Sequence, residues 1–140
     1  MLQTIFSFIT RTSRTRLIGL LVLLTGLSLP AHARWESIGL YAQGTFYIDL
    51  DSVVREAGKR KLTSSVDYRA PQTNSQGKTY LSTRSMLHID CSAELARTLH
   101  LTFFAGPMLK GAVVESEGIL LDWQPVPTGT PMYRIMHRVC

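Results

Sequence analysis

Cysteine is scarce in this chain, with two residues, Cys91 and Cys140, among 140. No cysteine pair has metal-ligand spacing, and His88, His100 and His137 lack the spacing of a zincin helix, so neither common pattern of a metal centre is present. Glycines are never clustered. Gly44, Gly58, Gly77, Gly106 and Gly111 stand singly where turns are expected, which excludes a glycine-rich phosphate cradle. There is no internal repeat and no low-complexity tract. The apolar run near the start falls short of the about 20 residues that a membrane span requires. These absences leave no cofactor, catalytic or metal site to assign from sequence.

What is present begins with an export signal. Arg11, Arg14 and Arg16 precede any acid, and the apolar core Leu17-Ile18-Gly19-Leu20-Leu21-Val22-Leu23-Leu24 follows, continuing more weakly to Leu29. Pro30 ends it, and Ala31-His32-Ala33 supplies an A-x-A cleavage site. Residues 1–33 are thus expected to be a signal peptide, cut after Ala33 to leave Arg34 first, with residues 34–140 as a single domain. The apolar core contains no cysteine, so lipid attachment at a lipobox is not offered there. Localisation is expected to be exported, in the periplasm or at the cell surface, with no membrane span once the signal is removed.

The charge balance changes accordingly. The whole chain carries 15 basic and 10 acidic residues, formally +5. Three arginines and no acid lie before Arg34, so the remainder carries +2. That charge is too small and too scattered to argue for nucleic acid. The only basic run, Lys59-Arg60-Lys61 beside Gly58, reads as a solvated turn. About a hundred residues form one domain of ordinary size, burying roughly two-thirds of its unfolded surface.

An even cysteine count in an exported chain suggests a disulfide. Two cysteines allow one intramolecular pairing; an intermolecular bond or two free thiols are the alternatives. An intramolecular bond would close a loop of about 50 residues and staple the chain end, a contribution of roughly 4 kcal/mol.

Strand signals dominate residues 34–140. Trp35–Leu40 is a short first candidate, and Gly44 opens Thr45-Phe46-Tyr47-Ile48-Asp49, rich in β-branched and aromatic residues. Asp49, Asp51 and Ser52 offer cap oxygens before Val53-Val54-Arg55-Glu56, which predicts a single helical turn closed by Ala57-Gly58. From Lys59 to Arg69, Leu62, Ser64, Val66 and Tyr68 fall on one face and Lys61, Thr63, Ser65, Asp67 and Arg69 on the other. That period of two predicts an antiparallel sheet with one wet face. Pro71–Gly77 has loop composition. Lys78–Asp90 reads as a long strand, Cys91-Ser92-Ala93-Glu94 as a turn, and Leu95–Ala105 as the returning strand. A helix over Ser92–His100 is the alternative there, since several of its residues are good helix formers. Ala112–Glu115 and Ile119–Trp123 predict two further short strands split by Gly118. At the end, Thr130 can cap and Pro131 suits the first helical position. Met132, Ile135, Met136 and Val139 form a helical apolar stripe. So short a helix must pack on the sheet to persist. The fold class is therefore α+β, mainly β: an antiparallel sheet of about six strands with a short C-terminal helix packed on it.

Candidate chemistry is thin. His88, Asp90 and Met86 share a strand face with Ser85 close by, and a triad could be drawn. Neighbours two apart on a strand diverge, however, so the group reads as a half-exposed sheet face. Asp49 and Asp51 read as turn formers rather than an acid–base pair. Tyr47, Tyr68, Tyr80 and Phe104 could form an aromatic binding face, with core and cross-strand packing as the ordinary use.

One series of motifs carries more. Gly44-Thr45-Phe46-Tyr47-Ile48-Asp49, Val66-Asp67-Tyr68, Lys78-Thr79-Tyr80-Leu81-Ser82 leading to Ile89-Asp90-Cys91, Arg97–Phe104, Lys110–Val114, Trp123–Pro127 and the terminal Val139-Cys140 resemble, in order, the surface-adhesin protein E-like proteins of proteobacteria. The resemblance implies about six antiparallel strands with a C-terminal helix held by a disulfide, here Cys91 to Cys140. It implies a non-enzymatic exported protein of the Gram-negative envelope, binding host matrix or serum proteins. The other reading is a periplasmic, envelope-associated protein with a structural or small-ligand-binding role. An antiparallel sheet leaves edges, so a homodimer through an exposed strand is also expected.

Overall fold

The alternation read in Lys59–Arg69 belongs to one long meander. The structure, a computed structural model, describes residues 33–118 and 122–140. Strands β1 (Trp35–Leu40), β2 (Gly44–Glu56), β3 (Lys59–Thr73), β4 (Thr79–Asp90), β5 (Leu95–Phe104) and β6 (Val113–Gly118) pair antiparallel in chain order. A two-residue strand, β7 (Gln124–Pro125), pairs with the start of β5. Helix α1 (Pro131–Val139) closes the chain. The expected strand over Ile119–Trp123 is not observed at Asp122 or Trp123, where the chain is irregular, and residues 119–121 lie outside the described residues.

Turn chemistry sets the register. Ala57 and Gly58 both take positive φ, 36° and 80°, forming a two-residue hairpin between Glu56 and its partner Lys59. At the β4–β5 turn, the Asp90 Oδ1 accepts hydrogen bonds from the Ser92 and Ala93 amides and the Ser92 hydroxyl. These bonds bend the backbone where a helix was the alternative, and Ser92–His100 contains turn and strand only. Gly44 sits where a side chain cannot: a Cβ there would lie 2.1 Å from the Asp67 carbonyl oxygen.

The helical turn expected at Val53–Glu56 is not formed; these residues extend β2. The polar groups read as caps serve a bulge instead. The pairing of β2 with β3 slips between Asp49 and Val54. Across the slip the Ser52 hydroxyl donates to the Asp49 carbonyl at 2.6 Å and accepts the Thr63 amide at 2.8 Å. A side-chain oxygen thus replaces a missing ladder acceptor, so the strand continues. The loop expected at Pro71–Gly77 is shorter than its composition implied, because β3 runs on to Thr73 after a second slip. Asn74 Oδ1 then closes the hairpin by accepting the Gln76 and Lys78 amides.

The core lies between one sheet face and α1. Ile48, Leu62, Leu87, Ile89 and Ala96 meet Ile135, Met136 and Val139, with Ile48 and Ile89 fully enclosed. Burying such side chains contributes about 1.5–3 kcal/mol each. The helix begins as its sequence indicates: Thr130 Oγ1 accepts the Tyr133 amide, and Pro131 occupies the first turn. It is then fastened to the sheet at several points. Arg138 makes a two-pronged ion pair with Glu36 at 2.6 and 2.8 Å, and Arg60 Nε donates to the Val139 carbonyl. Cys140 is joined to Cys91 by a disulfide, the intramolecular pairing among the three possibilities.

Candidate functional site

With α1 covering one face, the other face of the sheet is left to side chains alone. The strand register aligns Lys61, His88 and Arg97 in one row across β3, β4 and β5. Lys59 and Asp90 form the adjoining row. Trp123 lies over both rows: the Arg97 guanidinium is 4.5 Å from its ring centre, Lys59 Nζ 5.4 Å, and the His88 ring 4.8 Å. Cations over an indole face are attracted by its quadrupole, by about 0.5–2 kcal/mol each depending on desolvation.

This arrangement corrects the reading of His88 as half exposed: it is only 7% exposed. Its Nδ1 lies 3.2 Å from Arg97 Nη2, and since guanidinium can only donate, Nδ1 accepts. In the neutral ring the proton therefore resides on Nε2. That atom and Arg97 Nε are both buried without a hydrogen-bond partner among the described residues. Desolvation, then the Arg97 and Lys61 charges, hold the imidazole pKa below its ordinary 6.5. Asp90 has the opposite role. Lys59, the Ala93 amide and the Ser92 hydroxyl hold its carboxyl well below the usual carboxylate range.

The same face continues as a groove of about 450 Å³ lined by Trp35, Asp49, Thr63, Arg84, Met86 and His100. Met86 and His100 are direct cross-strand partners, and Met86 is 47% exposed. His100 Nε2 contacts the Ser116 hydroxyl at 3.3 Å. Asp49 is committed to structure: its Oδ1 accepts the Arg34 and Asp51 amides. On the helix side, a second groove of about 310 Å³ opens between the start of α1 and the sheet, with Phe46, Val66 and Met132 among its walls.

The triad drawn from sequence is not assembled. His88 is engaged by Arg97 and Trp123, and Asp90 by Lys59 and its own turn. Ser85 pairs in register with Ser64, in the row beside Ile48 rather than in the His88 row. The four aromatic residues do not share a face either. Tyr80 stands edge-on to both Tyr68 and Phe103, whereas Phe104 lies under Arg84 and Tyr47 pairs with Ser65 on the open side. Among the described residues no cluster of three or more His, Cys, Asp or Glu could hold a metal ion. Ala33 and Arg34 are exposed at the edge of β1, and Ala31 lies outside the described residues. Sequence reasoning missed the Trp123 cluster, because nothing in the spacing shows that the chain returns over β4 and β5. No signal in the sequence marks the row of Lys61, His88 and Arg97, because only the strand register aligns them.

Comparison with known proteins decides the family. The model of the family described as surface-adhesin protein E matches residues 35–140, the entire sheet and helix. The chain belongs to the surface-adhesin protein E family. Crystal structures of Haemophilus influenzae protein E share the fold. One aligns with a TM-score of 0.57 at 16% identity, covering 81% of this chain and 90% of that one. A second crystal form gives 0.58 at 15%, covering 81% and 94%. Protein E from non-typeable Haemophilus influenzae gives 0.52 at 15%, covering 79% of each chain. No curated protein sequence matches. Within the surface-adhesin protein E fold, the Trp123 cluster and the Met86–His100 groove are thus what this chain presents on the face away from the helix.

Proposed function

We propose that this protein is an exported, non-enzymatic binding protein of the adhesin type, with host matrix or serum proteins as partners. The observation that carries the reading is that the family match spans every strand and the helix, so the adhesin framework is present whole. The open sheet face supports it, with half-buried aromatic rings beside the exposed Arg84 and Met86. Export is supported by the basic flank, apolar core and A-x-A site of residues 1–33, and by the sheet starting directly after it: the Arg34 carbonyl already accepts the Leu50 amide. Cleavage is assigned after Ala33. Protein purified from cells expressing the whole chain should bind immobilised matrix or serum proteins saturably. Folded protein that binds none of them refutes the adhesin reading.

A second reading, a periplasmic envelope-associated protein with a structural or small-ligand role, is favoured by one observation. Both cysteines are consumed in the disulfide, so neither is open to acylation. A homodimer through a sheet edge is compatible with either, since β1 and β6 border the sheet and carry exposed Leu40 and Val113. Sedimentation showing only monomer at high concentration rejects it.

A further inference from the structure

Arginines gather at one corner of the helix-bearing side. Arg34, Arg55 and Arg138 line a polar notch of about 260 Å³ with Leu50, Val53 and Val139. Arg55 is directly opposite Arg60 in the β2–β3 ladder, a like-charge pair of the kind that costs stability. Arg60 also reaches the notch wall, donating to the Val139 carbonyl. One helical turn before Arg138, the exposed Arg134 lies along β1, its Nη1 3.3 Å from the Ile38 carbonyl. Five guanidiniums, one just before β1, one each on β2 and β3 and two on the helix, therefore form a track with no lysine among them.

The nearby acids neutralise only part of it. Both Glu36 oxygens are taken by Arg138, Asp51 lies 3.8 Å from Arg34, and Asp49 accepts the Arg34 amide. Arg55 has no ion pair among the described residues. The side chains are also accessible, 69% exposed for Arg34 and 49% for Arg138. Guanidinium is the side chain best matched to tetrahedral oxyanions, because its planar fork gives two parallel hydrogen bonds and is weakly hydrated. Arg55, Arg60 and Arg134 have no ion pair among the described residues, and Arg55 faces Arg60 directly, so an anion bridging these forks would relieve their repulsion. Because the cations run as a track along β1 and α1 rather than ringing a closed pocket, a linear polyanion fits better than a single small ion.

We propose that this arginine track binds the sulfate groups of a sulfated polysaccharide. The proposal rests on the reading of the domain as a binding protein and names a partner class for a surface distinct from the Trp123 face. The test uses protein purified from cells expressing the whole chain and an immobilised heparin-type oligosaccharide, alongside the matrix-protein assay. Binding should weaken steeply as salt rises, through counterion release. Arg55→Ala combined with Arg134→Ala should weaken it by roughly tenfold or more, two charge-assisted contacts being lost. Neither residue is buried, and an unchanged urea midpoint checks the fold. Arg55→Lys should recover only part of the affinity, since it restores charge without the fork. Replacing the exposed Lys78 and Lys110, on distant loops, should leave binding unchanged. Three outcomes overturn the proposal: no binding at low salt, equal loss in the lysine variants, or binding only to vesicles of anionic phospholipid. Loss of oligosaccharide binding in the arginine variants with matrix-protein binding intact supports it. Failure of the oligosaccharide assay beside intact matrix-protein binding overturns this proposal alone, and the reverse result overturns only the matrix-protein reading.

Discussion

Replacing Cys91 and Cys140 together by serine opens a loop spanning 49 residues. In the chain-entropy description a loop of that length contributes about 4 kcal/mol. A domain of this size commonly has only about 5–15 kcal/mol in total. The loss should be unevenly felt. Helix α1 has nine residues and cannot persist alone; without the bond it is held by Ile135, Met136 and Val139 and by the Arg138–Glu36 ion pair. That ion pair is solvent-exposed and adds little, on the order of 1 kcal/mol or less. Urea unfolding of the double variant should therefore show a fall of about 4 kcal/mol. Native-state hydrogen exchange should show α1 amides opening well before those of β3 and β4. A loss below about 1 kcal/mol, with α1 amides as protected as the central strands, refutes the reasoning, because packing alone would then hold the helix.

Further outcomes follow from the core, the turns and the histidine cluster. Ile48→Ala, at a fully enclosed position, should cost about 2–5 kcal/mol in urea unfolding. Gly44→Ala should abolish or severely weaken folding, since its Cβ would collide with the backbone of β3; a normal thermal transition would contradict the pairing of Gly44 with Tyr68. His88 has a folded-state pKa below 6.5, so the unfolded chain takes up its proton first as pH falls. Its contribution is complete above 6.5 and is lost on acidification below that value, while that of Asp90 persists until pH falls below the ordinary 3.8. His88→Gln should flatten the fall in stability that begins as pH drops below 6.5, leaving the limb below 3.8 unchanged; an unaltered profile counts against a buried neutral imidazole. In a Trp35→Phe background, Trp123 fluorescence should be quenched as His88 protonates, at a pH below 6.5. Quenching that survives His88→Gln would detach the ring from the cluster.

Local chemistry carried most of the fold into the sequence. The period of two in Lys59–Arg69 identified β3 and its faces, the basic run beside Gly58 marked a turn, and Thr130-Pro131 with the Met132–Val139 stripe located α1. The errors share a cause. At Val53–Glu56 and Pro71–Thr73, polar and proline residues read as ends of strands, whereas slips in register absorb them and the strands continue. Such slips depend on the partner strand and leave no mark in one segment alone. The Trp123 cluster was hidden for a related reason. Lys59, His88, Arg97 and Trp123 are far apart in sequence, and only pairing β3, β4 and β5, with the return of the chain over them, brings them together. The arginine track is similarly assembled from Arg34, Arg55, Arg60, Arg134 and Arg138, drawn from both ends of the domain and from the β2–β3 hairpin, which no single segment reveals.

The central claim is that this sheet-and-helix domain works as an adhesin outside the cell. Protease treatment of intact cells expressing the whole chain, beside cells with opened outer membranes, tests it most directly. The account predicts digestion of the domain on intact cells. Protection until the outer membrane is opened would contradict it and place the protein in the periplasm.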